Sequence, residues 1–141
     1  MAYNKNDITH SFAYLYVAFA HLTDGVINDA ELKNIAAKVW GWLETFENDV
    51  TGDGKIDVND VKQILFDDVI PFYDSMDGES RCAEFGRIVD TQMAQEWWND
   101  EFSTSVLKDM ENLAKADGNY HENEKKWLAI MADQYGVSVP A

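Results

Sequence analysis

Residues 49–60, with the sequence DVTGDGKIDVND, place oxygen-bearing groups at the spacing of a twelve-residue calcium loop. Such a loop supplies ligands from positions 1, 3, 5, 7, 9 and 12, and it turns sharply at a glycine in position 6. Gly54 occupies the sixth position, and the backbone carbonyl of Lys55 occupies the seventh. The sequence therefore predicts a Ca²⁺ site in this segment. The side chains predicted to complete it are those of Asp49, Thr51, Asp53, Asp57 and Asp60.

Two of these predicted ligands differ from the residues that are common at their positions in high-affinity calcium loops. Thr51 offers a neutral hydroxyl group at position 3, and Asp60 is shorter than the bidentate glutamate common at position 12, so a reduced affinity is expected. A final aspartate is typical of dockerin-type EF-hand loops, which this segment resembles. The alternative interpretation is an Asp/Gly-rich turn between two helices, in which Asp57 or Asn59 is only an N-cap and the other acids are solvated.

A second acidic pattern comes from an internal repeat. Residues 24–31 and 117–124 both begin with Asp-Gly and end with Glu, at an offset of 93 residues. Helix capping explains the glycines and the spacing before each glutamate. An aspartate at the C-terminus of a helix, however, opposes the helix dipole. Two interpretations therefore stay open, namely capping alone or an acidic site for a second divalent metal or a partner, formed by Asp24, Glu31, Asp117 and Glu124.

Apolar residues recur at helical spacing along the chain, without strand-like alternation of useful length. Pro71 is expected to interrupt or kink the third helix and to leave a short separate helix or turn over residues 69–76. The pattern predicts an all-α, single-domain bundle of about seven helices over residues 1–141, in which two similar helical hairpins bracket the calcium loop. Six other helices are predicted. The first contains Phe12 to Leu22, and one begins near residue 58. The others cover about 28–47, 79–98, 101–116 and 121–135.

The helix predicted over residues 79–98 carries a stripe of apolar side chains. The spacing predicts that this stripe faces the core, with Cys82 as a packed thiol. The aromatic rings of the chain follow the same helical spacing, which favours core packing over a platform for a ligand. The predicted stripe consists of Cys82, Phe85, Val89, Met93 and Trp97.

The composition excludes several classes of partner. The 141 residues include 26 acids and 11 bases, which gives a net charge of −15. Nucleic acid and anionic lipid are therefore poor partners, whereas cations and basic protein surfaces are favoured. A single cysteine precludes an intrachain disulfide, and neither a secretory signal nor a membrane-spanning apolar run is visible, so a cytoplasmic location is predicted.

No catalytic motif stands out. The histidines at positions 10, 21 and 121 lack metal-ligand spacing, and no Glu-x-x-His pair, phosphate loop or nucleophile elbow occurs. We therefore predict a non-enzymatic, Ca²⁺-binding helical module. The alternative is an acidic protein–protein interaction domain without a functional metal.

The second hairpin contains Leu-Ala-Lys-Ala-Asp-Gly at 113–118 and Glu-x-x-Trp-Leu at 124–128. With the first hairpin, it resembles the TerB-like family, the tellurite-resistance TerB domain and its relatives, over residues 11–44 and 103–136. The resemblance implies an all-α bundle in a cytosolic bacterial protein. It also implies a role in tellurite resistance or in phage or chemical-stress responses, with metal-sensing partners at the inner membrane face. The suspected metal-binding acids of that family correspond to Asp24, Glu31, Asp117 and Glu124.

Overall fold

The computed structural model describes residues 3–4, 7–24, 27–116 and 122–138, without the side chains of residues 22–24. No strand occurs in these ranges, which confirms the predicted all-α class. A π-helical segment, Gln63–Val69, joins α3 to α4 without a break, so the described chain forms six helical rods where about seven were predicted. The helices are α1 Ile8–Asp24, α2 Asp29–Thr45, α3 Val58–Lys62, α4 Ile70–Asp74, α5 Gly78–Met93, α6 Asp100–Ala114 and α7 Glu122–Tyr135.

The prediction at Pro71 is confirmed in part: a short α-helix, α4, begins beside Pro71, but the π-helical segment joins it to α3 without a break. Proline has no backbone N–H group to donate the helical hydrogen bond, and in an α-helix its ring collides with the carbonyl group four residues earlier. The π-helical segment has wider turns, and the Ile70 N–H group bonds to the Leu65 carbonyl oxygen, five residues back. The wider turns accommodate Pro71 at the start of α4 without ending the rod.

The internal repeat has a structural counterpart. At an offset of 93 residues, α1 and α2 correspond to α6 and α7, and each pair packs as a hairpin. The pairs also pack across each other, with α1 against α7 and α2 against α6. The Tyr16 hydroxyl group donates a 2.7 Å hydrogen bond to Asp109 Oδ2, and these two residues are themselves 93 apart. Contact between equivalent residues is what a two-fold axis produces, so the hairpins are related by approximate two-fold symmetry.

Helix α1 is the centre of the bundle. Every residue from 9 to 20 is buried, and α1 contacts α2, α4, α5, α6, α7 and the π-helical segment. A helix that is apolar on all sides has to be enclosed in this way. The helices in contact with α1 cover it with their buried, largely apolar faces. None of the helices in the described ranges combines the length and the apolar character needed to cross a membrane.

Helix α5 differs from its prediction in length and in orientation. It ends at Met93 instead of near residue 98, and Met93 and Trp97 are each 41% exposed. Cys82 is also exposed, so the predicted packed thiol is wrong. Compared with the prediction, the helix is rotated about its axis, so that the polar residue Gln92 lies in the core. A pattern of apolar residues could not indicate this. The buried face consists of Phe85, Ile88, Val89 and Gln92.

Candidate metal centre

The predicted calcium loop fills the connection between the end of α2 and the start of α3. Gly52 and Gly54 have φ angles of +76° and +88°, in the left-handed region that glycine adopts without a steric penalty. Gly54 therefore makes the sharp turn predicted at the sixth position of the loop. The tight path of the backbone brings side chains from both halves of the loop toward one another.

Three of the predicted ligands converge. Asp49, Asp53 and Asp60 each contribute one carboxylate oxygen, and these three oxygens lie within 4.8 Å of one another. Ca²⁺ bonds to oxygen at about 2.3–2.6 Å, so two ligand oxygens on opposite sides of one ion are up to about 5 Å apart. The spacing of the three carboxylates therefore suits a single divalent cation. Within the described ranges, no other group of three or more His, Cys, Asp or Glu side chains meets this spacing.

Asp60 is the buried member of the three. Its Oδ1 accepts hydrogen bonds from the Thr51 N–H group at 3.0 Å and the Thr51 hydroxyl group at 3.2 Å, and its Oδ2 accepts one from the Asp57 N–H group at 2.8 Å. Burial alone would raise the pKa of this carboxyl group, but these hydrogen bonds outweigh it and lower the pKa of Asp60. Asp60 is thus an ionised carboxylate that ties the start of the loop to its end.

The other two carboxylates are oriented by backbone N–H groups. Asp49 accepts hydrogen bonds from Gly52 at 2.9 Å and from Gly54 at 2.7 Å, one on each oxygen. Asp53 Oδ1 accepts one from Lys55 at 3.2 Å. A carboxylate has about four lone-pair sites, so these bonds fix the orientation of the groups and leave acceptor capacity for a cation.

The remaining predicted ligands have other contacts. The Thr51 hydroxyl group donates to Asp60, and the Asp57 carboxylate accepts a 3.0 Å hydrogen bond from the Asn59 N–H group as the N-cap of α3. The N-cap contact is the one that the alternative interpretation assigned to Asp57. Lys55 follows Gly54 in the same turn, and its carbonyl stays a predicted ligand. Asp49, Asp53 and Asp60 are therefore the core of the candidate site.

The second predicted acidic site is described only in part. Glu31 and Glu124 are both buried, at the third positions of α2 and α7. The Asn28 N–H group donates to Glu31 Oε1 at 3.2 Å, and the Glu31 N–H group donates to Asn28 Oδ1 at 2.8 Å, which is a complete capping box. Capping therefore accounts for Glu31. Asp117 and the side chain of Asp24 lie outside the described residues, so the four-acid site stays a prediction.

A buried polar cluster beside the loop was not predicted. His10 is buried between two carboxylates, with Nδ1 2.6 Å from Asp7 Oδ2 and Nε2 2.7 Å from Asp68 Oδ2. The Asn48 side-chain amide donates to Asp7 Oδ1 at 2.9 Å, which links this cluster to the residue before Asp49. Asp68 lies 58 positions from His10. The only local signal was the pair of acids, Asp67 and Asp68, inside the apolar run ILFDDVI.

The two carboxylates favour a protonated His10. Burial alone would lower the pKa of the imidazole, but the hydrogen bonds that the ring donates to Asp7 and Asp68 outweigh it and raise the pKa of His10. Burial would likewise raise the pKa of Asp7, yet hydrogen bonds from His10 and Thr9 dominate and lower that pKa to about 2. The raised pKa favours the imidazolium form of His10 between two acidic side chains, where the ring joins the N-terminal segment, α1 and the π-helical segment.

Stability is expected to fall as pH rises above neutral. The pKa of His10 is higher in the folded chain than its usual unfolded value of about 6.5, so its stabilising contribution is complete below about pH 6.5 and is lost as pH passes the folded pKa. Urea unfolding should give a larger free energy at about pH 6 than at about pH 9. A His10→Gln variant should lose most of this difference. A wild-type chain with equal stability at both pH values would contradict the protonated cluster.

Comparison of the chain with protein families, with curated proteins and with solved structures finds no match. The function is therefore inferred from the chemistry of the chain itself. The candidate site offers oxygen ligands alone, without imidazole or thiolate groups, and such ligand sets suit Mg²⁺, Ca²⁺ or Mn²⁺ more than zinc or copper.

Proposed function

We propose that this chain is a non-enzymatic helical module that binds Ca²⁺ in the loop between α2 and α3. The observation that carries the proposal is the convergence of Asp49, Asp53 and Asp60 within 4.8 Å. Their positions correspond to the first, fifth and twelfth residues of a calcium loop. Ca²⁺ tolerates irregular oxygen coordination, whereas Mg²⁺ demands a near-ideal octahedron, so a loop with these unequal side chains favours Ca²⁺.

The proposed role of the ion is structural. Asp49 and Asp53 lie in the loop that follows α2, whereas Asp60 belongs to α3. A cation shared by these groups would fix the start of α3 against the end of α2, and the two helices are already in contact. The sequence holds no second complete loop with which this one could pair, as the loops of calcium sensors do. Bound Ca²⁺ would therefore stabilise the junction without opening a groove.

The wider role stays a prediction. The resemblance to TerB-like proteins suggests tellurite resistance or another stress response, in the cytoplasm and with a partner at the inner membrane face. The net charge of −15 favours the alternative of an interaction domain for a basic protein surface. Partner binding that weakens steeply with salt and ignores chelators would favour this alternative over the calcium module.

Saturating Ca²⁺ is expected to stabilise the chain. A ligand at about 100 times its dissociation constant adds about 2.7 kcal/mol to the free energy of unfolding. The Asp49→Ala/Asp53→Ala variant should lose this gain, because it lacks two of the three converging carboxylates. Urea unfolding with and without Ca²⁺ after chelator treatment measures the effect.

A matched control separates specific binding from relief of charge repulsion. Asp90 and Asp133 are exposed on α5 and α7, so Asp90→Ala/Asp133→Ala removes the same charge away from the loop. This control should keep the full gain with Ca²⁺. If both double variants keep it, the stabilisation is unspecific and the proposed site is wrong.

A further inference from the structure

A cavity of about 440 Å³ lies where the start of α1, the end of α2 and the end of α5 meet. Polar side chains of its lining are engaged within the chain. Ser11 and Gln95 donate to backbone carbonyl groups at 3.3 Å and 3.1 Å, and the Asp7 carboxylate accepts hydrogen bonds from the side chains of His10 and Asn48. The cavity therefore suits an apolar group better than a polar one. The apolar part of its lining consists of Ile8, Phe46, Ile88 and Trp97.

Trp97 forms the edge of this cavity and is held in place by other rings. Its centroid lies 5.5 Å from that of Phe46, 5.1 Å from that of Phe102 and 5.7 Å from that of Trp98. Trp97 is nevertheless 41% exposed, and so is Met93, four residues earlier. An exposed ring that is already fixed loses little conformational entropy on binding, and tryptophan is enriched at the centres of protein interfaces. The arrangement favours Trp97 as an anchor for a partner.

The two chain segments that carry these rings are acidic and contain no lysine or arginine. Residues 39–54 include four acids, and residues 88–107 include another four. Among them, Glu47 and Glu96 are exposed, and each is the sequence neighbour of a ring at the cavity. An apolar centre with an acidic rim attracts a cationic partner and repels an anionic one.

Charge decides between the possible occupants of this surface. A second copy of the chain carries the same net charge of −15, so it would bring like charges together. Nucleic acid and anionic lipid are repelled for the same reason. A basic segment of another protein is attracted, and a helix with one apolar and one basic face matches both the cavity and its rim.

We propose that this surface docks a basic, amphipathic helix of a partner protein. A large apolar side chain of that helix would enter the cavity against Trp97, and its lysines or arginines would face the acidic rim. The proposal gives the alternative function, an interaction domain, a defined surface. None of the three converging carboxylates lines the cavity, so docking here and Ca²⁺ binding in the loop use different residues. Failure of either proposal would leave the other standing.

The probe is a synthetic amphipathic helical peptide of leucine and lysine, titrated without Ca²⁺ into isotope-labelled protein. It should shift the indole N–H resonance of Trp97. The indole resonance of Trp40, which is exposed on α2 but does not line the cavity, should stay in place. A peptide of the same composition, scrambled so that it has no apolar face, should bind about tenfold more weakly. A peptide of leucine and glutamate with the same apolar face should not bind, because the acidic rim repels it.

Three variants assign the surface. Trp97→Ala removes the anchor and should weaken binding of the leucine–lysine peptide by about tenfold. Thr91→Trp fills the cavity from an exposed position of α5 and should weaken it to a similar extent, so it tests the cavity even if Trp97→Ala fails to fold. Trp40→Ala is the matched control and should bind as the wild-type chain does. Unchanged affinity in either cavity variant, or equal affinity of the amphipathic and scrambled peptides, would overturn the proposal.

Discussion

An Asp68→Ala variant is expected to lose about 3 kcal/mol of unfolding free energy. Asp68 is buried and accepts hydrogen bonds from His10 Nε2 at 2.7 Å and from Gln63 Nε2 at 2.9 Å. Its removal leaves a buried imidazolium with one carboxylate partner instead of two. Breaking a buried ion pair costs about 3–5 kcal/mol. We expect the lower end of that range, because Asp7 still compensates the charge.

The preceding residue provides the control for this prediction. Asp67 lies in the same π-helical segment but is exposed, so Asp67→Ala should change the unfolding free energy by no more than about 0.5 kcal/mol. Asp68→Asn, which keeps the shape and one acceptor, should fall between the two. Urea denaturation near neutral pH measures all three. If Asp68→Ala is no less stable than Asp67→Ala, the buried cluster does not contribute as described.

An Asp60→Ala variant is expected to be less stable than the wild-type chain for two separate reasons. Without Ca²⁺ it loses three hydrogen bonds to a buried carboxylate, two from Thr51 and one from Asp57. The partly exposed donors can regain water, so we expect a loss of about 2 kcal/mol. With Ca²⁺ it should also lack the gain of about 2.7 kcal/mol that the wild-type chain shows at 100 times the dissociation constant.

Asp53→Ala separates these two effects. Asp53 is exposed, and its carboxylate accepts a hydrogen bond from the Lys55 N–H group. This variant should therefore be close to the wild-type chain without Ca²⁺ and should lose the Ca²⁺-dependent gain. Unfolding curves of both variants in chelator and in Ca²⁺ provide the comparison. An Asp60→Ala variant that gains as much from Ca²⁺ as the wild-type chain would show that Asp60 is not a ligand.

The parts of the structure that follow local rules could be predicted from the sequence. The bundle follows from apolar spacing, because helices α2, α6 and α7 each bury a face set by 3.6-residue periodicity, whereas α1 is buried on all sides. The convergence of Asp49, Asp53 and Asp60 is also a local property. All three lie within twelve residues, and the turn at Gly54 brings them together without help from the rest of the fold.

The parts that could not be predicted depend on contacts between distant residues. His10 and Asp68 meet only because the π-helical segment packs against α1. The stripe predicted on α5 was wrong in part because Gln92, a polar residue, occupies a core position there and pairs with Tyr135. Periodicity assigns polar residues to the surface. The prediction therefore turned the wrong face of this helix toward the core and placed Trp97 there.

Calorimetric titration of Ca²⁺ into chelator-treated protein tests the central claim most directly. The claim predicts a saturable heat for the wild-type chain and for Asp90→Ala/Asp133→Ala, but only dilution heat for Asp49→Ala/Asp53→Ala. Heat that is indistinguishable between the wild-type chain and Asp49→Ala/Asp53→Ala would contradict it, since those carboxylates would then play no part in binding the ion.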